Sequence, residues 1–315
     1  MLFTAVRAVG RRFMDLSIRS GRDYRVRIVE RPGAWMAPAE LEALSTQLRV
    51  VAAKTIPGVL RYGVFSGDAE RLAQSIITLV TDRAGRPVAF NALAVMEVDI
   101  PPRPVEVLHL GLVMVDPDVR SRSLSWVLYG LTCFLIFFRR QFRPVWISNV
   151  TQVPAVVGMV SGMFSDVWPG PGAGRRSLTQ LMLARRIMAD HRHVFGVGPE
   201  AGFDEDRFVI TNAYTGGSDD LKKTFDAAPK HRDPAVNAFC EAQLDYRRGD
   251  DVIQLGLMDM AAIRRYLLRD VPKGKVAGLV ITAALVALSR VVLPMVHWFD
   301  TGRDWGILRP AGGRR

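Results

Sequence analysis

Residues 105–115 read Val-Glu-Val-Leu-His-Leu-Gly-Leu-Val-Met-Val, residues 116–125 read Asp-Pro-Asp-Val-Arg-Ser-Arg-Ser-Leu-Ser, and an apolar run from 126 to 138 follows. The first stretch is rich in valine and leucine and predicts a strand. The second has the residues of a turn, and the third is long and apolar enough for a buried helix. A strand that runs into the N-terminus of a helix leaves backbone N–H groups without intrahelical partners, and the helix dipole favours an anion beside them. The N–H groups of residues 121 to 125, with Arg120 and Arg122 next to them, are therefore a candidate pyrophosphate site.

Upstream of this stretch, residues 24–29 read as a strand and residues 38–54 as a helix that opens on Pro38 and acidic residues. Residues 74–81 and 88–98 read as two strands joined by Asp82-Arg-Ala-Gly-Arg-Pro87, a turn composition that predicts an antiparallel hairpin. Downstream come a strand at 145–150 and a helix at 154–164. The order β-α-β-β-β-α-β-α predicts a mixed α/β domain. Beyond it a Gly- and Pro-rich loop spans 168–174, and a helix covers 177–193. Residues 196–272 are expected as an appended α/β segment with strands at 207–213 and 251–257 and helices at 233–245 and 258–269.

The chain has 315 residues, 49% of them hydrophobic and 23% charged, with a mean hydropathy of +0.12. That is apolar for a water-exposed domain and suggests lipid contact. A net charge of +11 calls for an anionic partner. No zinc-finger spacing, aromatic RNA-binding signature or basic-plus-heptad segment occurs, so nucleic acid is not the expected one. Cys133 and Cys240 are far apart in apolar helical patterns, which fits neither a disulfide framework nor a thiolate metal site. His191 and His193 lack a third ligand at metal-site spacing, so no metal is expected. The N-terminus lacks a run apolar enough for a secretory signal, which points to the cytoplasmic side.

Both ends carry a membrane signal. Leu2, Val6, Val9, Phe13 and Leu16 recur every three or four residues, with Arg7, Arg11 and Arg12 between them. Residues 1–22 are thus expected to hold a basic amphipathic helix, packed on the domain or lying on anionic lipid. Residues 276–299 contain one charged side chain before Asp300, Arg290, and sit between Lys273 and Lys275 and Arg303. Residues 273–300 read either as a membrane-embedded helix or as a buried one, with a basic tail at 301–315. A mid-membrane Arg costs at least about 2.5 to 3.5 kcal/mol unless it snorkels or is paired.

The element order, together with the strand, the Arg120-x-x-Ser123-x-Ser125 turn and the helix after it, resembles the GNAT superfamily of acyl-CoA-dependent N-acyltransferases. The family writes this turn Arg/Gln-x-x-Gly-x-Gly/Ala, so serine stands at both small positions here. A second match lies at Asn149, which ends a strand, and at Gly162-Met-Phe164, similar to the family's Asn-to-Gly-Phe segment. The two matches cover roughly residues 23–170, within an expected core of 23–195.

The resemblance implies a mixed sheet of about six to seven strands, splayed at a central V, flanked by helices and followed by a membrane-associated helical extension. Acyl-CoA would enter the V with its pantetheine arm on main-chain groups of 113 to 115. Its pyrophosphate would rest on Arg120, Ser121, Arg122, Ser123, Leu124 and Ser125, with Val113 and Val115 beside the arm. The thioester would sit near His109 to Gly111, where an amine attacks it directly. Glu106 and His109 are three residues apart on one strand and so face opposite sides. His109 is the favoured general base because its titration range lies near neutral pH, with Glu106 as the rival. Asn149 is expected to hold substrate or backbone at the splay. Gly158 stands where the family often has a tyrosine that protonates the leaving thiolate, which leaves water or Tyr129 for that task.

Within the family the chain looks like the bacterial GNAT-type ceramide synthases. That likeness implies a fatty acyl group from long-chain acyl-CoA, a sphingoid-base amine (3-oxosphinganine or sphinganine) and a site on the cytoplasmic face of the inner membrane. Aminolipid or N-acyl-amino-acid synthesis, and an inactive acyl-CoA sensor, remain alternatives. Met159, Met163, Phe164, Trp168 and the 134–138 run could line an acyl groove or form plain core.

Overall fold

The computed structural model describes residues 13–296 except 22, 57–62, 66, 120–123 and 125. Strands β1 (Asp15–Ser20) and β2 (Tyr24–Glu30) lead to helix α1 (Pro38–Thr55) and a short helix α2 (Ala69–Ala73). Strands β3 (Ser75–Thr81), β4 (Pro87–Val98), β5 (Val105–Leu110) and β6 (Val113–Val115) follow. A π-helical segment, Trp126–Leu131, runs into α3 (Thr132–Arg139), then come β7 (Val145–Thr151), α4 (Pro154–Met163), β8 (Ser165–Trp168) and α5 (Leu178–Arg186). The last part holds β9 (Gly202–Asp204), β10 (Val209–Thr211), α6 (Pro234–Gln243), β11 (Asp251–Met258), α7 (Met260–Arg269) and α8 (Lys273–Val296).

The local patterns explain most of these elements. In α1, Pro38 fills a first-turn position that needs no N–H donor, and Leu41, Leu44, Leu48 and Val51 bury one face at helical spacing. Strand β3 is nearly all buried, as a β-branched run covered on both faces should be. The hairpin between β3 and β4 closes as its turn residues predict. Asp82 accepts the N–H groups of Ala84 and Arg86 at 2.9 Å each, and Gly85 takes a φ of 80°.

One mixed sheet of 11 strands contains them all, in the order β1-β2-β3-β4-β5-β7-β11-β10-β9, with β6 beside β4 and β8 beside β11. Every pairing is antiparallel except β5 with β7. The strand count exceeds the expected six to seven because the sheet gains short strands at its edges and β6 separates from β5. Residues 196–272, expected as an appended segment, supply β11 to the sheet interior between β7 and β10. Seven register pairs tie β11 to β7, from Val252↔Thr151 to Met258↔Val145.

One expectation about the ends changes. Residues 15–18 are strand rather than the end of an amphipathic helix. Leu16 and Ile18 point inward while Ser17 and Arg19 are exposed, and pairing with β2 selects the two-residue period that Leu16 also fits. Residues 1–12 lie outside the described residues. At the other end, α8 packs Leu279 and Ala283 into the cluster that contains α3. No helix among the described residues is long and apolar enough to cross a membrane. Val280, Ile281, Leu285 and Leu288 nevertheless stay exposed on α8. The tail at 301–315 is outside the described residues.

Candidate active site

The site forms where two neighbouring strands part. β5 and β7 pair in register from Val107↔Trp146 to Leu110↔Asn149, and there the pairing ends. The chain then kinks at Gly111, where a Cβ would lie 2.1 Å from the Ala92 carbonyl oxygen, so only glycine allows β6 to stay against β4. Beyond the kink β6 pairs only with β4 among the described residues. Asp116 N–H donates to Val88 O and Ala92 N–H to Leu112 O, which makes residues 112, 114 and 116 the hydrogen-bonded partners of β4. Ladder alternation therefore turns the main-chain groups of Val113 and Val115 toward the opening, the edges on which the pantetheine expectation rests.

A cavity of about 1110 Å³ occupies the opening, above the roughly 300–1,000 Å³ common for ligand sites. It reaches both faces of the sheet. Leu110, Leu128, Met159, Met163 and Phe164 line it from the face of α3 and α4, and Phe195 and Tyr214 from the other. Val113, Val115 and Leu124 are on its wall as well. Leu124 O accepts the N–H groups of Val127 and Leu128, which makes it the entry to the helix. Arg120, Ser121, Arg122, Ser123 and Ser125, the rest of the proposed pyrophosphate turn, lie outside the described residues.

That helix starts wide for a visible reason. The Tyr266 hydroxyl donates to Trp126 O at 2.9 Å, and the Asn91 amide donates to Leu128 O. Side-chain donors that take carbonyls out of the helical ladder favour a π turn. Gly130 is needed at this point, because a Cβ there would lie 1.9 Å from the Tyr266 ring. Tyr129, from the same turn, reaches the cavity wall, and burial raises its pKa, so it is a protonated donor at neutral pH.

The three residues expected to carry the chemistry separate. His109 lines the cavity, is 3% exposed, bonds Ser148 Oγ through Nδ1 at 3.0 Å and stacks on Phe195 with ring centres 5.1 Å apart. Burial pushes its pKa down to about 4, so the ring is neutral at pH 7. The expected general base is thus a weak proton acceptor, and its suitable trait is hydrogen bonding. Glu106 points to the other face, as the spacing predicts. It is not among the residues that line the cavity, and it accepts a 2.5 Å bond from Arg140, with Arg31 at 3.9 Å.

Asn149 is on the cavity wall and 3% exposed, and its amide donates to Gln254 Oε1 at 3.2 Å. Gln254 in turn donates to Pro169 O at 3.0 Å and Ser161 Oγ at 3.1 Å, which ties β7 to β11 and α4. Asn149 is thereby held rigid at the last β5–β7 pair. The aromatic and Met residues divide: Phe134 and Phe137 are core, Trp168 packs edge-on against Phe208 at 4.4 Å, and only Met159, Met163 and Phe164 reach the cavity. Gly158 seats the His231 ring, which a Cβ would meet at 2.5 Å.

Three polar residues on the same wall were not anticipated: Asp251 and Tyr214, joined by a 2.8 Å hydrogen bond from the tyrosine hydroxyl to Oδ1, and Gln152. Burial pushes the Asp251 carboxyl up to about 7, the Tyr214 bond opposing the rise and Asp250 adding to it. The only local signal was the Asp250-Asp251 pair at the start of β11. Among the described residues no group of three or more His, Cys, Asp or Glu is placed to hold a metal ion. Compared with known protein families and with curated proteins, the chain matches none.

Proposed function

We propose that this protein is a membrane-associated N-acyltransferase. It moves a fatty acyl group from long-chain acyl-CoA to the amine of a sphingoid base, 3-oxosphinganine or sphinganine, to form a (keto)ceramide. The observation that carries the reading is the cavity at the end of β5–β7 pairing, which joins a polar wall to an apolar one. A thioester with a long chain has the same division.

In this reading the acyl chain lies along Met159, Met163 and Phe164, which can adapt to an irregular chain. Main-chain groups of Val113 and Val115 hold the pantetheine arm, and the turn at 120–125 holds the pyrophosphate. His109 and Asn149 supply hydrogen bonds at the neck, where the amine attacks the thioester carbonyl and the thiol leaves. Tyr129, which lines the cavity, protonates the leaving thiolate. The exposed apolar side chains of α8, followed by a basic tail, suit contact with anionic lipid on the cytoplasmic face.

Thiol release from palmitoyl-CoA tests the proposal. Release with sphinganine or 3-oxosphinganine, lowered at least tenfold by His109→Ala, supports it. Release only with ornithine or other amino-acid acceptors selects aminolipid or N-acyl-amino-acid synthesis instead. The neutral, weakly basic state of His109 favours a second reading, a sensor. Palmitoyl-CoA binding without release across all these amines selects it.

A further inference from the structure

Asp251 opens β11, and the next residue, Val252, pairs with Thr151 of β7. Asp251 and Gln152 therefore sit at the same end of adjacent strands, and both are on the cavity wall. They are 6% and 1% exposed. Strand alternation puts Asp251 on the face of Ile253 and Leu255, which share a cluster with Phe195, the ring under His109. The carboxylate thus faces the same half of the cavity as His109.

The polar groups here are unbalanced. Asp250, next door, is bonded to Arg248 at 2.6 Å, but no cation lies within ion-pair distance of Asp251 among the described residues. Gln152 uses its amide N–H on Leu221 O at 3.2 Å, while its Oε1 is buried with no partner among the described residues. Two acceptor oxygens on a dry wall with too few donors cost free energy unless a ligand supplies the donors. A group with several N–H donors and a positive charge would complement both, which describes a primary ammonium.

Resting on the N-acyltransfer reading, we propose that Asp251 and Gln152 form the acceptor-amine site: the Asp251 carboxylate pairs with the incoming ammonium and takes one of its protons, while Gln152 Oε1 holds a second N–H. The carboxylate becomes a carboxylic acid and the ammonium a neutral amine. The site is three residues along β7 from Asn149, on the order of 10 Å, so the neutral amine moves inward to the thioester. There the nitrogen lone pair forms the C–N bond, the C–S bond breaks, and a further N–H proton ends on the thiolate. Tyr214 favours the ionised carboxylate by donating to Oδ1, against the effect of burial. The remaining ionisable groups on the wall are Arg71, His109, Tyr129, His193 and Lys223.

The test uses the full chain in micelles, with sphinganine as the probe amine. Binding of sphinganine alone should strengthen about tenfold from pH 6 to pH 8, as the carboxylate ionises. In Asp251→Asn it should be weak and independent of pH. In Tyr214→Phe the midpoint should move to higher pH, a shift that a purely structural role would not produce. Asp251→Asn should also slow thiol release about 100-fold, within the range for a lost acid–base group, with palmitoyl-CoA affinity unchanged as proof of folding. Unaltered, pH-dependent amine binding in Asp251→Asn overturns the inference. Such binding in the natural chain without thiol release keeps the ammonium site and sinks the acyl-transfer reading.

Discussion

Glu106 and Asp251 are carboxylates on two strands of one sheet with only β7 between them, and their surroundings are opposite. Glu106 is about a third exposed and has two arginines within reach. Asp251 is buried, has a tyrosine hydroxyl for company and faces a cavity. An exposed, paired carboxylate has its charge already answered, and little is left for a substrate. A buried one without a counter-ion is held near its neutral form and gains most from a cation that arrives. The residue with the more suggestive sequence position is therefore the less suited to chemistry.

Four measurements would sharpen or break this contrast. The largest effect is expected in turnover: the approximately 100-fold loss in Asp251→Asn should have no counterpart in Glu106→Gln, whose thiol release stays within about twofold of the natural chain. Equal losses in the two variants would erase the distinction.

Next is stability against pH. The folded-state pKa of Asp251 is raised, so its contribution to stability is full below the ordinary carboxylate range and is lost as pH rises through about 7. Asparagine does not titrate. Thermal unfolding should find Asp251→Asn more stable than the natural chain at pH 8, by on the order of 2 kcal/mol, and close to it at pH 4. A constant difference across that window would show that the carboxyl is not buried as described.

His109 works in the other direction. Its pKa is depressed, so its contribution is full above the histidine range near 6.5 and is lost as pH falls toward about 4. His109→Gln should flatten the acid side of the stability profile by about 1–2 kcal/mol. An unchanged acid limb would mean the imidazole is solvated. The smallest effect belongs to Glu106→Gln, which should change stability by less than about 1 kcal/mol in chemical denaturation, because the ion pairs with Arg140 and Arg31 are partly solvated.

Much of the fold was legible in local pattern. The strand before the hairpin, α1, the hairpin at Asp82, the strand at 105–110, and the β7–α4 pair all lie where periodicity and turn residues put them. The opposite facing of Glu106 and His109 followed from strand geometry alone. The site was less legible. His109 and Asn149 reach the cavity, yet the His109 titration range was set by burial under Phe195, which no neighbour in sequence announces. Asp251 and Gln152 meet across β11 and β7, about a hundred residues apart in the chain, and nothing local in either segment signals that pairing.

By itself the sequence determined the alternation of strands and helices, because this depends on backbone preferences and on contacts between near neighbours. Only the tertiary structure decided that residues 15–20 form a strand, that β11 lies inside the sheet, and which carboxylate is buried with no counter-ion among the described residues. Strand pairing, burial and charge compensation arise between distant segments, and their energies depend on what the whole chain brings together.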